Sequence, residues 1–186
     1  MPTAQPLDSI TERLLVLRAA EGDGAAFRVL WDAYEAKLRY FLRRIVAEEH
    51  TADDVLQEVA LELFRKLPRL RAIEAFRRWL YQVAHDRAVS RVRKERREKE
   101  VLECALSEQE ASSVDEFQQC ELAEAVHFGL NQLDEDERTV LTLRFLEDLR
   151  IAEIAEVLRL PEGTVKSRLH YAKQSLRRVL QKDAPS

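Results

Sequence analysis

Apolar residues recur at steps of three and four along most of the chain, the period of one face of an α-helix. The clearest run is Phe27, Leu30, Trp31, Tyr34, Leu38, Phe41 and Ile45, which predicts a long amphipathic helix. Gly22-Asp23-Gly24 is a break before it, with Asp23 as its N-cap. A shorter helix is expected from Ile10 to about Glu21, with Leu14, Leu15 and Leu17 inward. Thr51-Ala-Asp-Asp54 resembles a capping box. It would open a helix that buries Leu56, Val59, Ala60, Leu63 and Leu67 and stops at Pro68. A basic loop, 69–74, leads to a helix from about Ala75 to Glu98, with Leu80, Ala84, Ala88 and Val92 inward.

The period then fades. From Glu100 to Gln118, Ser, Glu, Gln and Asp dominate, as in a linker. It resumes near Leu122 with Val126, Leu130 and Leu133, and continues in a helix carrying Val140, Leu141, Leu143 and Phe145. Ile151, Ile154, Ala155 and Leu158 mark a short helix, and Arg159-Leu160-Pro161 a turn. Val165, Leu169, Ala172, Leu176 and Leu180 then line one side of a last helix. Two short helices packed across a tight turn make a helix-turn-helix. The expected fold is therefore all-α. Two small helical domains, 10–98 and 122–182, are joined by an acidic linker, 99–121, and the second contains the helix-turn-helix. Only 4 Gly and 5 Pro in 186 residues agree with this.

Charge sharpens the picture. The net charge of −4 argues against a nucleic-acid partner only if charge is spread evenly. It is not. Residues 87–99 hold seven Arg or Lys against two Glu, and 163–182 hold six with no acid. Residues 100–137 hold twelve Asp or Glu and no Arg or Lys. On the outer side of the last helix, Lys166, His170, Lys173 and Arg177 lie at i, i+4, i+7 and i+11, with Ser167, Tyr171 and Gln174 beside them. An α-helix fits the DNA major groove, where base edges can be distinguished. Cations neutralise phosphates, and Thr164 at the helix start is placed to hold one. A solvated charged helix of an ordinary bundle is the competing reading.

Other classes recede. No apolar run approaches the roughly 20 residues that span a bilayer, so no membrane insertion is expected. The N-terminus has neither a basic start nor an apolar h-region, which makes cytoplasmic residence the expectation. Cys104 and Cys120 lack metal-ligand spacing and read as two reduced thiols, a redox pair being the alternative. No phosphate loop and no nucleophile with a base is evident. No enzyme, metal or cofactor is expected.

The stretch Ile151-Ala-Glu-Ile-Ala-Glu-Val-Leu, followed by Pro161-Glu-Gly-Thr-Val-Lys-Ser-Arg-Leu-His170, closely resembles region 4 of extracytoplasmic-function sigma factors, within the bacterial sigma-70 family. Asp53-Asp54-Val-Leu-Gln57-Glu58 is similar to the family's core-binding signature in region 2. Phe76-Arg-Arg-Trp79-Leu-Tyr81-Gln-Val-Ala84, with Arg91, Arg93, Arg96 and Arg97 after it, looks like the promoter-melting helix. The resemblance implies a promoter-specificity subunit that brings core RNA polymerase to −10 and −35 elements and assists DNA opening. Its partners would be the β′ and β subunits, promoter DNA and an anti-sigma factor.

It also implies roles. Asp54, Gln57 and Glu58, at i, i+3 and i+4, would form one exposed patch gripping a β′ coiled coil. Lys166, Ser167, His170 and Tyr171 would lie nearest the −35 bases, with Thr164, Arg168 and Lys173 on phosphates. Trp79, Tyr81, Asp86, Arg87, Arg91 and Lys94 would meet the −10 element. Opened strands need aromatic platforms and cations. Trp79 and Tyr81 are candidates, although aromatics at helical spacing commonly belong to a core. The acidic linker would follow a polymerase channel or serve as a solvated tether. A conventional repressor, or a sigma mimic that titrates an anti-sigma factor, are the rival readings.

Departures from the family pattern are visible. Asp86 stands where Asn is common, Arg150 where a Ser or Thr cap is usual, Arg159 where Gly is usual, and Asp134 where Pro is frequent. Arg150 would weaken its helix start by roughly 1 kcal/mol if nothing compensates. Arg159 would be strained if its φ is positive.

Overall fold

A computed structural model of the chain describes residues 7–46, 48–103 and 129–182. The fold is all-α, with no strand among the described residues. The chain divides into two compact units between Arg97 and Glu98. In the first, α1 (Ser9–Ala20), α2 (Gly24–Leu42), α3 (Glu49–Lys66) and α4 (Phe76–Glu103) follow in order, the last residues of α4 continuing past the boundary. Two 3₁₀ turns, Leu67–Arg69 and Ile73–Ala75, join α3 to α4.

The boundaries follow local chemistry. Asp8 caps α1, accepting from the N–H groups of Ile10 and Thr11 at 2.9 Å each. Asp23 caps α2 as expected, accepting from Ala25 and Ala26 at 2.9 and 3.0 Å. The expected capping box at Thr51 does not form. α3 starts two residues earlier, at Glu49, and buried Thr51 donates its hydroxyl to Glu95 at 3.2 Å. Pro68 lies in the 3₁₀ turn just beyond the end of α3. α4 runs past the expected Glu98, since no Pro or Gly interrupts it.

The core of this unit is Leu30, Leu38, Phe41, Val55, Val59, Leu63, Leu67, Phe76, Leu80 and Tyr81, all essentially sealed from solvent. α1 corrects an expectation. Leu15, Val16 and Ala19 are buried, while Leu14 and Leu17 are exposed. The consecutive run Leu14-Leu15-Val16-Leu17 has no 3.6-residue period, so the pattern could not choose a face. The choice is made by Glu12, one turn before Leu15 and Val16. Tyr34 donates its hydroxyl to Glu12 at 2.5 Å, and Arg77 bonds the same carboxylate at 2.7 Å. Burial raises the Tyr34 phenol well above its ordinary range, and the Glu12 contact adds to this.

In the second unit, helical backbone at 129–131 is followed by α5 (Glu135–Leu141), a π-type turn (Thr142–Leu146), α6 (Ile151–Leu158) and α7 (Glu162–Lys182). Leu130, Leu133, Val140, Leu143, Leu149, Ile154, Val157, Val165, Leu169 and Ala172 form its core. Gly129 allows a close approach, because a Cβ there would come within 2.8 Å of Leu176 Cδ1. Phe145, expected inward, is 58% exposed. The wider π-type turn rotates it off the buried face, a shift that a strict 3.6-residue period cannot anticipate. The expected linker 99–121 begins as helix, since α4 continues to Glu103; its residues 104–121, Leu122, Val126 and both cysteines lie outside the described residues.

Candidate nucleic-acid interface

α6, the turn 159–161 and α7 form the helix-turn-helix. α6 starts without a side chain on Arg150 able to accept a hydrogen bond, because guanidinium carries donors only. Glu153 compensates from the other side, accepting the Arg150 N–H at 2.7 Å. The helix ends with Arg159 at φ 55° and ψ 42°, a left-handed cap that normally favours Gly. Leu160 N–H returns to Ala155 O at 3.0 Å, closing the turn.

α7 is pinned by Val165, Leu169 and Ala172, all buried. Lys166, Ser167, His170, Tyr171 and Lys173 are exposed on the other side, and Tyr171 is 61% exposed. Local contacts order this face. Ser167 donates to Thr164 O at 2.9 Å, and Gln174 Nε2 lies 2.8 Å from His170 Nε2. The His170 and Tyr171 rings meet edge to face at 5.6 Å. Lys173 Nζ stands 5.1 Å from the centroid of the exposed Phe145 ring. Arg168 is half-buried and paired with Asp136 of α5 at 2.8 Å. The N–H of Thr164 is engaged with Pro161 O at 2.9 Å, so what Thr164 offers an anion is its hydroxyl.

In the first unit, Asp54, Gln57 and Glu58 are exposed on one face of α3. They do not stand apart from the cations of α4. Arg91 reaches Asp54 at 2.8 Å and Glu95 at 3.3 Å. Arg87 reaches Glu62 at 2.5 Å and Glu58 at 3.8 Å. Lys66 also bonds Glu62. Burial pushes the Glu62 carboxyl up, but the hydrogen bonds and charges of Lys66 and Arg87 outweigh it and hold the group below its ordinary range.

Trp79, Asp86 and Arg87 come together in a cleft of about 430 Å³ between α3 and α4, completed by Glu62, Lys66, Gln82, Val83 and Ser90. Lys94 is exposed further along α4. Tyr81 corrects an expectation. It is fully buried, edge to face with Phe41 at 5.3 Å, and belongs to the core rather than to a platform for bases. Glu62 and Lys66 escaped the sequence reading. The signal was present, since Asp54, Glu58, Glu62 and Lys66 repeat every four residues along α3.

Comparison with known proteins matches residues 30–98 to Sigma-70 region 2 and residues 123–176 to Sigma-70, region 4. The chain belongs to the sigma-70 family, in its extracytoplasmic-function group. The RNA polymerase sigma-H factor of Pseudomonas aeruginosa is 32% identical, covering 91% of this chain and 94% of its own. The ECF RNA polymerase sigma-E factor of Haemophilus influenzae is 30% identical, covering 94% and 97%. The Bartonella quintana sigma factor RpoE, solved in complex with the anti-sigma factor NepR, shares the fold with a TM-score of 0.67 at 22% identity, covering 85% of this chain and 98% of its own. This sigma factor is a promoter-specificity subunit of RNA polymerase. No helix among the described residues is long and apolar enough to cross a membrane.

Proposed function

We propose that the sigma factor divides its work between three surfaces. Asp54, Gln57 and Glu58 bind the β′ coiled coil of core polymerase. The outer face of α7 reads the −35 element, with Lys166, Ser167, His170 and Tyr171 toward base edges and Thr164, Arg168 and Lys173 toward phosphates. The α3–α4 cleft, with Trp79, Asp86 and Arg87, receives opened −10 DNA, and Arg91 and Lys94 follow its backbone. The domains responsible are 10–98 and 122–182, joined by the linker 99–121. The polymerase performs the chemistry, and this chain supplies recognition.

The observation that carries this reading is the two-sided character of α7. Val165, Leu169 and Ala172 are sealed, while an unbroken polar and cationic face remains outside. A sigma factor of the same fold has been solved with an anti-sigma factor. By that analogy an anti-sigma factor holds this chain inactive in the cytoplasm. Run-off transcription with core polymerase on a promoter library tests the whole. Initiation from a defined −35/−10 class is expected. A chain that binds DNA without binding core polymerase would instead be a conventional repressor.

A further inference from the structure

Two kinds of partner order the cations of α7. Lys166 lies 3.8 Å from Glu162 and Arg168 2.8 Å from Asp136, so a carboxylate orders each side chain and also cancels its charge. Lys173 has no carboxylate partner among the described residues. Its ammonium stands 5.1 Å from the centroid of the Phe145 ring. An aromatic face attracts a cation through its quadrupole but carries no net charge. The ring therefore orders Lys173 and leaves its charge whole. An ammonium has three donors, and those on the side away from the ring remain for another partner. Phe145 reaches this position through the π-type turn. Thr142 and Leu143 of the same turn are sealed, while Phe145 is 58% exposed. Such turns are rare and are found frequently at functional sites. A ring this exposed adds little to the core, and it faces Lys173 instead.

We propose that Phe145 is a positioning residue for the −35 contact, holding the Lys173 ammonium ready for a phosphate. This rests on the reading of Lys173 as a phosphate contact made above. A lysine moving freely in solvent gives up rotamer freedom when it binds. One already resting on a ring has given up part of that freedom beforehand. The phosphate oxygen then meets the outer side of the ammonium while the ring keeps the inner side. A carboxylate in the same place would order the lysine equally well, but it would have to be exchanged for the phosphate. The ring does not compete with the phosphate for hydrogen bonds.

The experiment is a double-mutant cycle between the two residues. Holoenzyme reconstituted from this chain and core polymerase is titrated, across a salt series, on a promoter recovered by its own selection. Lys173→Gln is expected to weaken binding about tenfold and to lower the salt slope by about one. Phe145→Leu is expected to weaken binding about threefold, the worth of an exposed cation–π contact. Phe145→Tyr keeps an aromatic face and should bind as the wild type does. In the Lys173→Gln background, Phe145→Leu should add no further loss. Base preference at −35 and binding to core polymerase should be unchanged throughout. A Phe145→Leu chain that binds as the wild type does overturns the proposal. Tighter binding overturns it too, because the ring would then withhold Lys173 from the phosphate. An undiminished loss in the Lys173→Gln background does the same, since Phe145 would be acting through its own contacts or the fold. Lys173→Gln without effect overturns the phosphate reading of Lys173, and the proposal with it.

Discussion

The cations of α4 and those of α7 are held in opposite ways. On α4, Arg87 and Arg91 lie against carboxylates contributed largely by α3: Glu62, Glu58 and Asp54. On α7, Lys173 and Arg177 are exposed, and neither has a carboxylate partner among the described residues. Lys166 and Arg168 do pair, with Glu162 at 3.8 Å and Asp136 at 2.8 Å. At Lys173 and Arg177 α7 therefore presents charge directly, whereas Arg87 and Arg91 of α4 present charge already compensated by α3. Exposed ion pairs contribute only about 0–1 kcal/mol each, so compensation does not prevent phosphate binding. It does mean that DNA contact on α4 exchanges one anion for another. On α7 it mainly displaces counterions, and its salt dependence should be the steeper.

The largest expected effect breaks the α7 side of this contrast. Lys173→Gln with Arg177→Gln should lower promoter affinity of the holoenzyme about 100-fold at physiological salt and flatten the salt slope by about two. Core binding should not change. The matched pair on α4, Arg87→Gln with Arg91→Gln, should cost only about tenfold, because these cations are already compensated by the carboxylates of α3. Filter binding across a salt series measures both, and equal losses would remove the contrast. Next comes Asp54→Ala with Glu58→Ala. Core polymerase binding should weaken by at least about tenfold, with the −35 preference kept. Fluorescence-detected competition for core enzyme gives the first quantity and binding-site selection the second.

Much of this arrangement was legible in the sequence. Strong periods fixed α2, α3, α4 and the helix-turn-helix, because a buried face and a polar face must alternate at 3.6 residues. Where period was lacking, tertiary contact decided. The inward face of α1 depends on Glu12 meeting Tyr34 and Arg77, residues 22 and 65 positions away. Phe145 turned outward with the π-type turn. At the site, the exposed residues of α3 and α7 were readable because one helix face carries them all. Tyr81 was not, since its neighbour Trp79 lines the cleft while Tyr81 itself meets Phe41 in the core. Glu62 needed the second helix to be seen, because its role comes from Arg87, 25 residues on.

Glu62 also gives the contrast a pH dependence. Its carboxyl is held below the ordinary value of 4.5 in the folded chain, so its ionised form stabilises the fold. That stabilisation is fully present above pH 4.5 and is lost as the pH falls through the lower folded value. Glu62→Gln should therefore lower stability by about 1 kcal/mol at pH 7 and by less at pH 3.5. Urea unfolding at the two pH values checks this, and an equal loss at both would show that packing, not charge, is what Glu62 contributes.

The smallest expected effect concerns the turn that aims α7. Arg159 sits at φ 55°, and Asp148 at φ 52°. A side chain in the left-handed region costs about 1–2 kcal/mol relative to its preferred conformations. Gly avoids that cost but loses more freedom on folding, so Arg159→Gly should gain only about 0.5–1 kcal/mol. Asp tolerates this region better than Arg, so Asp148→Gly should gain less. The order of the two gains is the informative quantity. Urea midpoints followed by circular dichroism measure it. A loss at Arg159 would mean that its side-chain contacts outweigh the strain of its backbone. A gain there with the −35 preference unaltered would mean that α7 is aimed by the buried Val165, Leu169 and Ala172, and that the turn only has to close.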